Sequence, residues 1–424
     1  MNKLNLKLLV GIFSAMLIPV IGINVYQSYQ QEHLLSEPID SIQCSYDGSV
    51  RPMDRISKGR LTVTAITSSG TTYHAQDYTL DLEEAPAHGG EFTLTVSYMG
   101  KDQTIKIPIE RTKVVEYSIG YPVQDDVTAT VYSNGDLEFT GEGNTLTFRK
   151  GDTPWRSDEY SYVNFASSEI TPVNIDYWFM DNEELEECRN IPGSIVSAKE
   201  TFSGCEKLSA TPDIFRCTEL RVMDSMFEGC ISLKDVDVIP ANVISANEAF
   251  AECISMVDPP DFTKATNCES VSGIFSGCES LISATYFPDS VLNMEEAFLG
   301  CSNIREASPF PANVENVSAA YADCIALEKA ASVPETVKDC SRCYANCKSL
   351  YGKLEINTDT DDFINILSGA VENGQELRLH GNSGYLIDIQ QAEGNRLIIL
   401  DDPQEAARQA QRLQMELEAE RKVR

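Results

Sequence analysis

An aromatic side chain recurs through the middle of the chain at Phe179, Phe202, Phe227, Phe250, Phe275, Phe298, Tyr321 and Tyr344, in steps of 23, 25, 23, 25, 23, 23 and 23 residues. Three residues after each comes Cys205, Cys230, Cys253, Cys278, Cys301, Cys324 or Cys347, with Asn182 in the first copy. Three further on sits Leu185, Leu208, Leu233, Met256, Leu281, Ile304, Leu327 or Leu350. A pattern held at one period through residues 178–350 predicts a solenoid, in which each unit buries its apolar face only by stacking on its neighbours. With the aromatic counted as position 0, apolar or small residues fall at −7, −4, −1, 0, +3 and +6. In one copy these are Val243, Ala246, Ala249, Phe250, Cys253 and Met256. Such spacing predicts one face of a helix or helical turn.

Beyond the +6 residue the pattern becomes short and extended, as in Val236–Pro240, Ala284–Pro288 and Ala330–Pro334. Proline cannot donate to a ladder and so ends each strand. One strand, one turn and one helical segment in 23–25 residues is a leucine-rich-repeat arrangement, and the expectation is an α/β solenoid with the cysteines as its ladder. Strands about 4.8 Å apart would form a sheet roughly 40 Å long. Glu187, Arg189, Asp235, Asp237, Ser283, Thr285, Glu306, Ser308 and Lys329 are expected to point outward from it as the interaction face.

The runs Ser225–Leu233 (SMFEGCISL) and Ile274–Leu281 (IFSGCESL) resemble BspA-like leucine-rich-repeat surface proteins, as does the proline-bearing stretch Arg305–Ala312. The motif covers about 170 of the 424 residues. What the resemblance implies is a bacterial cell-surface protein that binds a partner; it names no ligand.

The flanks complete the domain plan. Residues 1–7 carry Lys3 and Lys7, and residues 8–26 begin with the apolar stretch Leu8–Ile23. This is read as a transmembrane signal anchor with a short cytoplasmic tail, a cleaved signal peptide being the second reading. Residues 27–38 form a polar linker. Residues 39–112 alternate as strands, at Leu61–Ala65, Phe92–Tyr98 and Ile105–Ile109, with turn signals at Ser69-Gly70, Gly89-Gly90 and Met99–Asp102. An all-β sandwich is expected, and the segment order resembles a bacterial Ig-like domain serving as a spacer. Residues 113–177, with Asn134-Gly135 at a hairpin turn, are expected to cap the array. Residues 351–402 read as a βαβαβ C-terminal cap, with helices at Asp362–Ala370 and Tyr385–Ala392. Residues 403–424 read as a charged helix with a narrow apolar stripe, either solvated or able to associate.

Charge removes whole function classes. A net charge of −32 and a pI near 4.4 exclude nucleic-acid and anionic-lipid binding, which need a basic surface. Of the 13 cysteines, seven form the ladder, and Cys188, Cys268, Cys340 and Cys343 fall at other apolar repeat positions. Cys217 falls in an insertion and Cys44 outside the repeats; the repeat cysteines are read as small buried hydrophobes with free thiols, disulfides between neighbouring ladder positions being the second reading. Cys340, Cys343 and Cys347 share one face but lack a fourth ligand, so no metal site is expected. Asn357, Asp359 and Asp361 begin like a calcium loop, yet Asp362 and Ser368 stand where Gly and Glu are needed. His33, His74, His88 and His380 share no motif, and no nucleophile elbow, zinc-binding helix or phosphate loop is present.

The sequence therefore predicts no enzyme and no cofactor. It predicts a membrane-anchored, extracytoplasmic binding or adhesion protein that presents its solenoid to a protein or glycan. The alternative is a scaffold subunit of a bacterial envelope or secretion-type complex.

Overall fold

The structure is a computed structural model that describes residues 37–400, apart from 235, 237, 359, 361, 364, 373 and 382. It divides into two compact units, at Thr112 and Lys113.

The first unit is all antiparallel. Strands β1 (Ile39–Tyr46), β2 (Leu61–Thr67) and β3 (Thr72–His74) make one sheet. Strands β4 (Thr79–Leu80), β5 (Glu91–Tyr98) and β6 (Lys101–Pro108) make another. Along β5, Phe92, Leu94, Val96 and Tyr98 are buried while Glu91 and Thr93 are exposed. That period of two is what a strand with one covered face requires. Both sheets contribute to a single apolar cluster that includes Val63, Ala65, Leu94, Val96 and Ile107.

The second unit begins with β7 (Lys113–Ser118), β8 (Gly120–Tyr121), β9 (Val127–Tyr132), β10 (Asp136–Gly141), β11 (Asn144–Thr145), β12 (Tyr162–Phe165) and β13 (Glu187–Arg189). The main sheet runs β13-β12-β10-β9-β7; β7, β9 and β10 pair antiparallel, then β10, β12 and β13 pair parallel. A hairpin thus becomes the first rungs of a parallel stack. Over it lie Trp155 and Trp178, each 5.2 Å from the Phe139 ring, and the Trp155 indole N–H donates to the Trp178 carbonyl at 2.8 Å.

Through the array the aromatic rings stack directly. Centroids lie 5.4 Å apart for Phe202–Phe227, 5.5 Å for Phe227–Phe250, 5.9 Å for Phe250–Phe275 and 5.0 Å for Phe298–Tyr321. Val243, Ala246, Ala249, Phe250, Cys253 and Met256 are all fully buried. The array ends on β14 (Gly352–Ile356), β15 (Leu377–Gly381), α1 (Ser383–Glu393) and β16 (Ile398–Leu400), whose strands pair parallel.

The expected fold class needs two corrections. The solenoid is not α/β: α1 is the one α-helix among the described residues, and it lies beyond the repeats. Asp362–Ala370, expected as helix, includes turn instead. Between −5 and +6 the chain makes consecutive i→i+3 turns, such as Ala249 N–H to the Ala246 carbonyl at 3.3 Å and Cys253 N–H to Phe250 at 3.3 Å. The amides a helix would use internally go to the next repeat. Ala246, Glu248, Phe250 and Glu252 N–H donate to the carbonyls of Ser270, Ser272, Ile274 and Ser276 at 3.0, 2.7, 3.0 and 2.7 Å. Positive φ at Glu248 (54°) and Glu252 (60°) makes this outward turn possible and excludes a helix. Stacked three-residue corners put apolar side chains inward nearly as often as a helix does, so pattern alone does not separate them.

The second correction concerns the membrane. No helix among the described residues is long and apolar enough to cross one. Residues 8–26, on which the expected anchor falls, lie outside the described residues, as does the helix expected over 403–424.

Candidate functional site

The continuous parallel ladder of the repeats runs through position −5, while the expected strand bridges only at some steps. Asn174, Ser197, Val222, Ser245, Ser270, Asn293, Asn316, Asp339 and Asp362 bridge in succession. Side chains reinforce it: Asp224 Oδ1 accepts the Ser245 hydroxyl at 2.5 Å and the Asn247 amide at 2.9 Å. Asn247 Oδ1 then accepts Ser270 at 2.6 Å and Ser272 N–H at 3.0 Å. This edge is occupied by its own hydrogen bonds.

The cysteine ladder is equally committed. Each thiol donates to the aromatic carbonyl of the preceding repeat, Cys230 to Phe202 at 3.2 Å, Cys253 to Phe227 at 3.2 Å and Cys278 to Phe250 at 3.1 Å. Cys205, Cys301, Cys324 and Cys347 do the same at 3.3, 3.1, 3.1 and 3.0 Å. All thirteen cysteines are unbridged, and all but Cys44 are buried. Burial pushes the Cys230 and Cys278 thiols up to about 12. A nucleophile or metal ligand needs the thiolate, which these surroundings suppress.

The remaining side of each repeat, from +7 to about +13, carries the residues expected to form the interaction face, and their fates differ. Glu187 and Arg189 lie in β13, exposed and paired with each other, the second contact at 3.1 Å; the Arg189 guanidinium also sits 5.6 Å from the Tyr162 ring centre. Glu306 and Lys329 meet across one repeat step at 3.3 Å, and their backbones form a parallel bridge. Ser283 is exposed, whereas Thr285 is half-buried and donates to the Pro260 carbonyl at 3.2 Å. Ser308 turns inward. It is buried, 3.1 Å from the Tyr321 hydroxyl, because a tyrosine in the ring stack needs a partner for its oxygen. Asp235 and Asp237 lie outside the described residues.

Among the described residues of the expected face the structure thus brings together two ion pairs, Glu187–Arg189 and Glu306–Lys329. Elsewhere cations are similarly taken by the neighbouring repeat, Lys207 by Glu184 at 2.6 Å, Arg305 by Glu328 at 2.6 Å and Lys338 by Glu315 at 2.7 Å. Exposed ion pairs of this kind contribute little stability, about 0–1 kcal/mol each, but they neutralise the surface locally.

Sequence reasoning missed the apolar members of this side. Val257 is 43 % exposed, Ile282 56 %, Tyr286 65 % and Phe215 48 %. The signal was available at +7, where Val257 and Ile282 stand between Lys234 and Arg305 in the same row. Phe215 lines an open hollow of about 470 Å³ with Val238, Ile239, Pro240 and Lys264. Another hollow, of about 830 Å³, lies in the N-terminal cap between Tyr132, Asp158, Tyr160 and Glu184.

Residues 159–257 and 221–351 match the model of the BspA type leucine-rich repeat region, in six copies. The match spans residues 159–351, the part of the chain that carries the stacked repeats. Among solved structures it is similar to a leucine-rich-repeat protein of T. pallidum, at 17% identity over 50% of this chain and 81% of that one, with a TM-score of 0.29. It is also similar to a leucine-rich cell surface protein of Faecalibacterium prausnitzii, at 16% identity over 66% of this chain and 98% of that one, with a TM-score of 0.26. A leucine-rich-repeat protein of Eubacterium ventriosum matches at 12% identity over 62% and 96%, with a TM-score of 0.24. No curated protein matches the chain.

Proposed function

We propose that the chain is a bacterial extracytoplasmic recognition protein, which uses the +7 to +13 side of its repeats to bind a protein or glycan. The observation that carries this reading is the division within each repeat. The −5 to +6 arc spends its hydrogen bonds on stacking, while the other arc leaves Ile282, Tyr286, Glu187 and Lys329 at the surface. The BspA-type match supports it. In this reading residues 39–112 are an Ig-like spacer, attachment to the membrane holds the protein at the cell surface, and adhesion is the outcome. Leucine-rich repeats present extended surfaces of this kind for binding rather than catalysis.

Protease added to intact cells should remove the repeats while cytoplasmic markers survive. Protection of the repeats on intact cells, with cleavage only after lysis, would sink the proposal of surface display.

A further inference from the structure

We propose that Val257, Ile282 and Tyr286 form a docking ledge for a protein segment that carries apolar side chains beside Lys or Arg. This rests on the recognition reading above and names its partner class.

Val257 and Ile282 are neighbours by backbone geometry, and Tyr286 stands further along the same extended segment as Ile282. The Ile282 amide donates to the Val257 carbonyl at 3.1 Å, which sets these two rows one repeat step apart. Tyr286 follows four residues later, and the Thr285 hydroxyl, bonded to Pro260 at 3.2 Å, fixes the chain beneath it. Val257 and Ile282, 43 and 56 % exposed, interrupt the +7 row that elsewhere holds Lys234, Arg305 and Glu328, and Tyr286, 65 % exposed, stands at +11 of the same repeat as Ile282. Large aliphatic and aromatic side chains held on a fixed scaffold are the anchors of protein interfaces.

Charge decides what accompanies the apolar groups. Asp258 and Asp261 are exposed beside the ledge. Asp258 makes no ion pair among the described residues. Asp261 accepts Thr263 N–H at 2.8 Å and the Thr263 hydroxyl at 3.0 Å, bonds that favour its carboxylate form. The cations on the other side, Arg305 and Lys329, are already held by Glu328 and Glu306. On a chain of net charge −32 the complementary partner is cationic, steered by the field and able to lay Lys or Arg over the Tyr286 ring.

The test titrates the intact protein with three labelled synthetic peptides of about a dozen residues. One alternates Lys with Leu, one Lys with Ser, and one Glu with Leu. The Lys/Leu peptide should bind at least about tenfold tighter than either control. Ile282→Ser combined with Tyr286→Ser should reduce that affinity about tenfold or more, and Asp258→Asn should reduce it severalfold and flatten its salt dependence. Ile282→Thr alone, with an unchanged circular-dichroism spectrum and a smaller loss, guards against misfolding of the double variant. Equal binding of Lys/Leu and Lys/Ser peptides, or unchanged affinity in the double variant, would overturn the ledge. So would retention of glycans alone on an array. Such failures leave surface display standing, because protease accessibility on cells is an independent readout.

Discussion

From −5 to +6 the repeats share one set of ring stacks, thiol donors and inter-repeat amides, whereas from +7 onward hydrogen bonds between repeats are sparser and the side chains change from step to step. Glu328 and Lys329 N–H both reach the Arg305 carbonyl, at 2.8 and 3.2 Å, while the next repeat's Tyr351 reaches Glu328 at 3.1 Å. The 25-residue steps are also lengthened here; one of them carries the 3₁₀ turn Ile214–Arg216 and the buried Cys217 in this arc. The inner arc must match its neighbours on both sides, so its residues are held to one shape and size. The outer arc needs only to close the coil, and it is where side chains can vary without cost to the stack.

The sharpest test of this contrast is a pair of truncations. Phe250→Ala removes a ring between two others and should cost about 3–5 kcal/mol in denaturant-induced unfolding. Tyr286→Ala should stay within about 0.5 kcal/mol, as an exposed substitution does. Equal losses would erase the distinction between the arcs.

A smaller effect is expected at the thiols. Cys253→Ala leaves the Phe227 carbonyl without its thiol donor and opens a small void, and should cost about 1–3 kcal/mol. Alkylation under native conditions should modify Cys44, the only half-exposed cysteine, well before any ladder position. Rapid labelling of Cys253 in the folded protein would contradict the closed inner arc.

Gly277 sits at +2 with φ +74°, and an added Cβ would stand 3.4 Å from Glu252 Cγ. Gly277→Ala should cost about 1 kcal/mol or slightly more, since L-residues are strained there. Gly70, with φ +83° and nothing within 4 Å of an added Cβ, isolates the backbone cost alone.

The subtlest prediction concerns pH. Glu228 is half-buried, and burial first, then the charges of Glu248, Glu200 and Glu252, raise its carboxyl above the ordinary value. A folded pKa above the unfolded one means the native state holds the proton more tightly. That contribution is fully present below the unfolded pKa and is lost as pH rises through the folded pKa. Glu228→Gln should therefore gain stability relative to the parent at neutral pH and lose the advantage in acid, in paired unfolding curves across pH.

Much of the fold was legible because stacking repeats a physical demand. Phe250, Cys253 and Met256 recur in kind at fixed spacing, and all are buried. The conformation of that arc was not legible, because corners every three residues mimic helical spacing; Glu248 and Glu252 at positive φ give no compositional warning. The face was read by strand alternation, which sent Ser308 outward, but its hydroxyl is claimed by Tyr321. Ile282 and Tyr286 were read past because a single exposed apolar residue in sequence looks like core.

By itself the sequence determined the solenoid, its period, the buried ring and thiol columns and the acidity that limits its partners, since these follow from spacing and composition. Tertiary structure alone decided that the inner arc is stacked turns rather than helix, and that Glu187 pairs with Arg189 and Glu306 with Lys329 on the expected face. Both depend on which amide and which carboxylate the next repeat supplies, and that neighbour lies 23 to 25 residues away, beyond the reach of any local pattern.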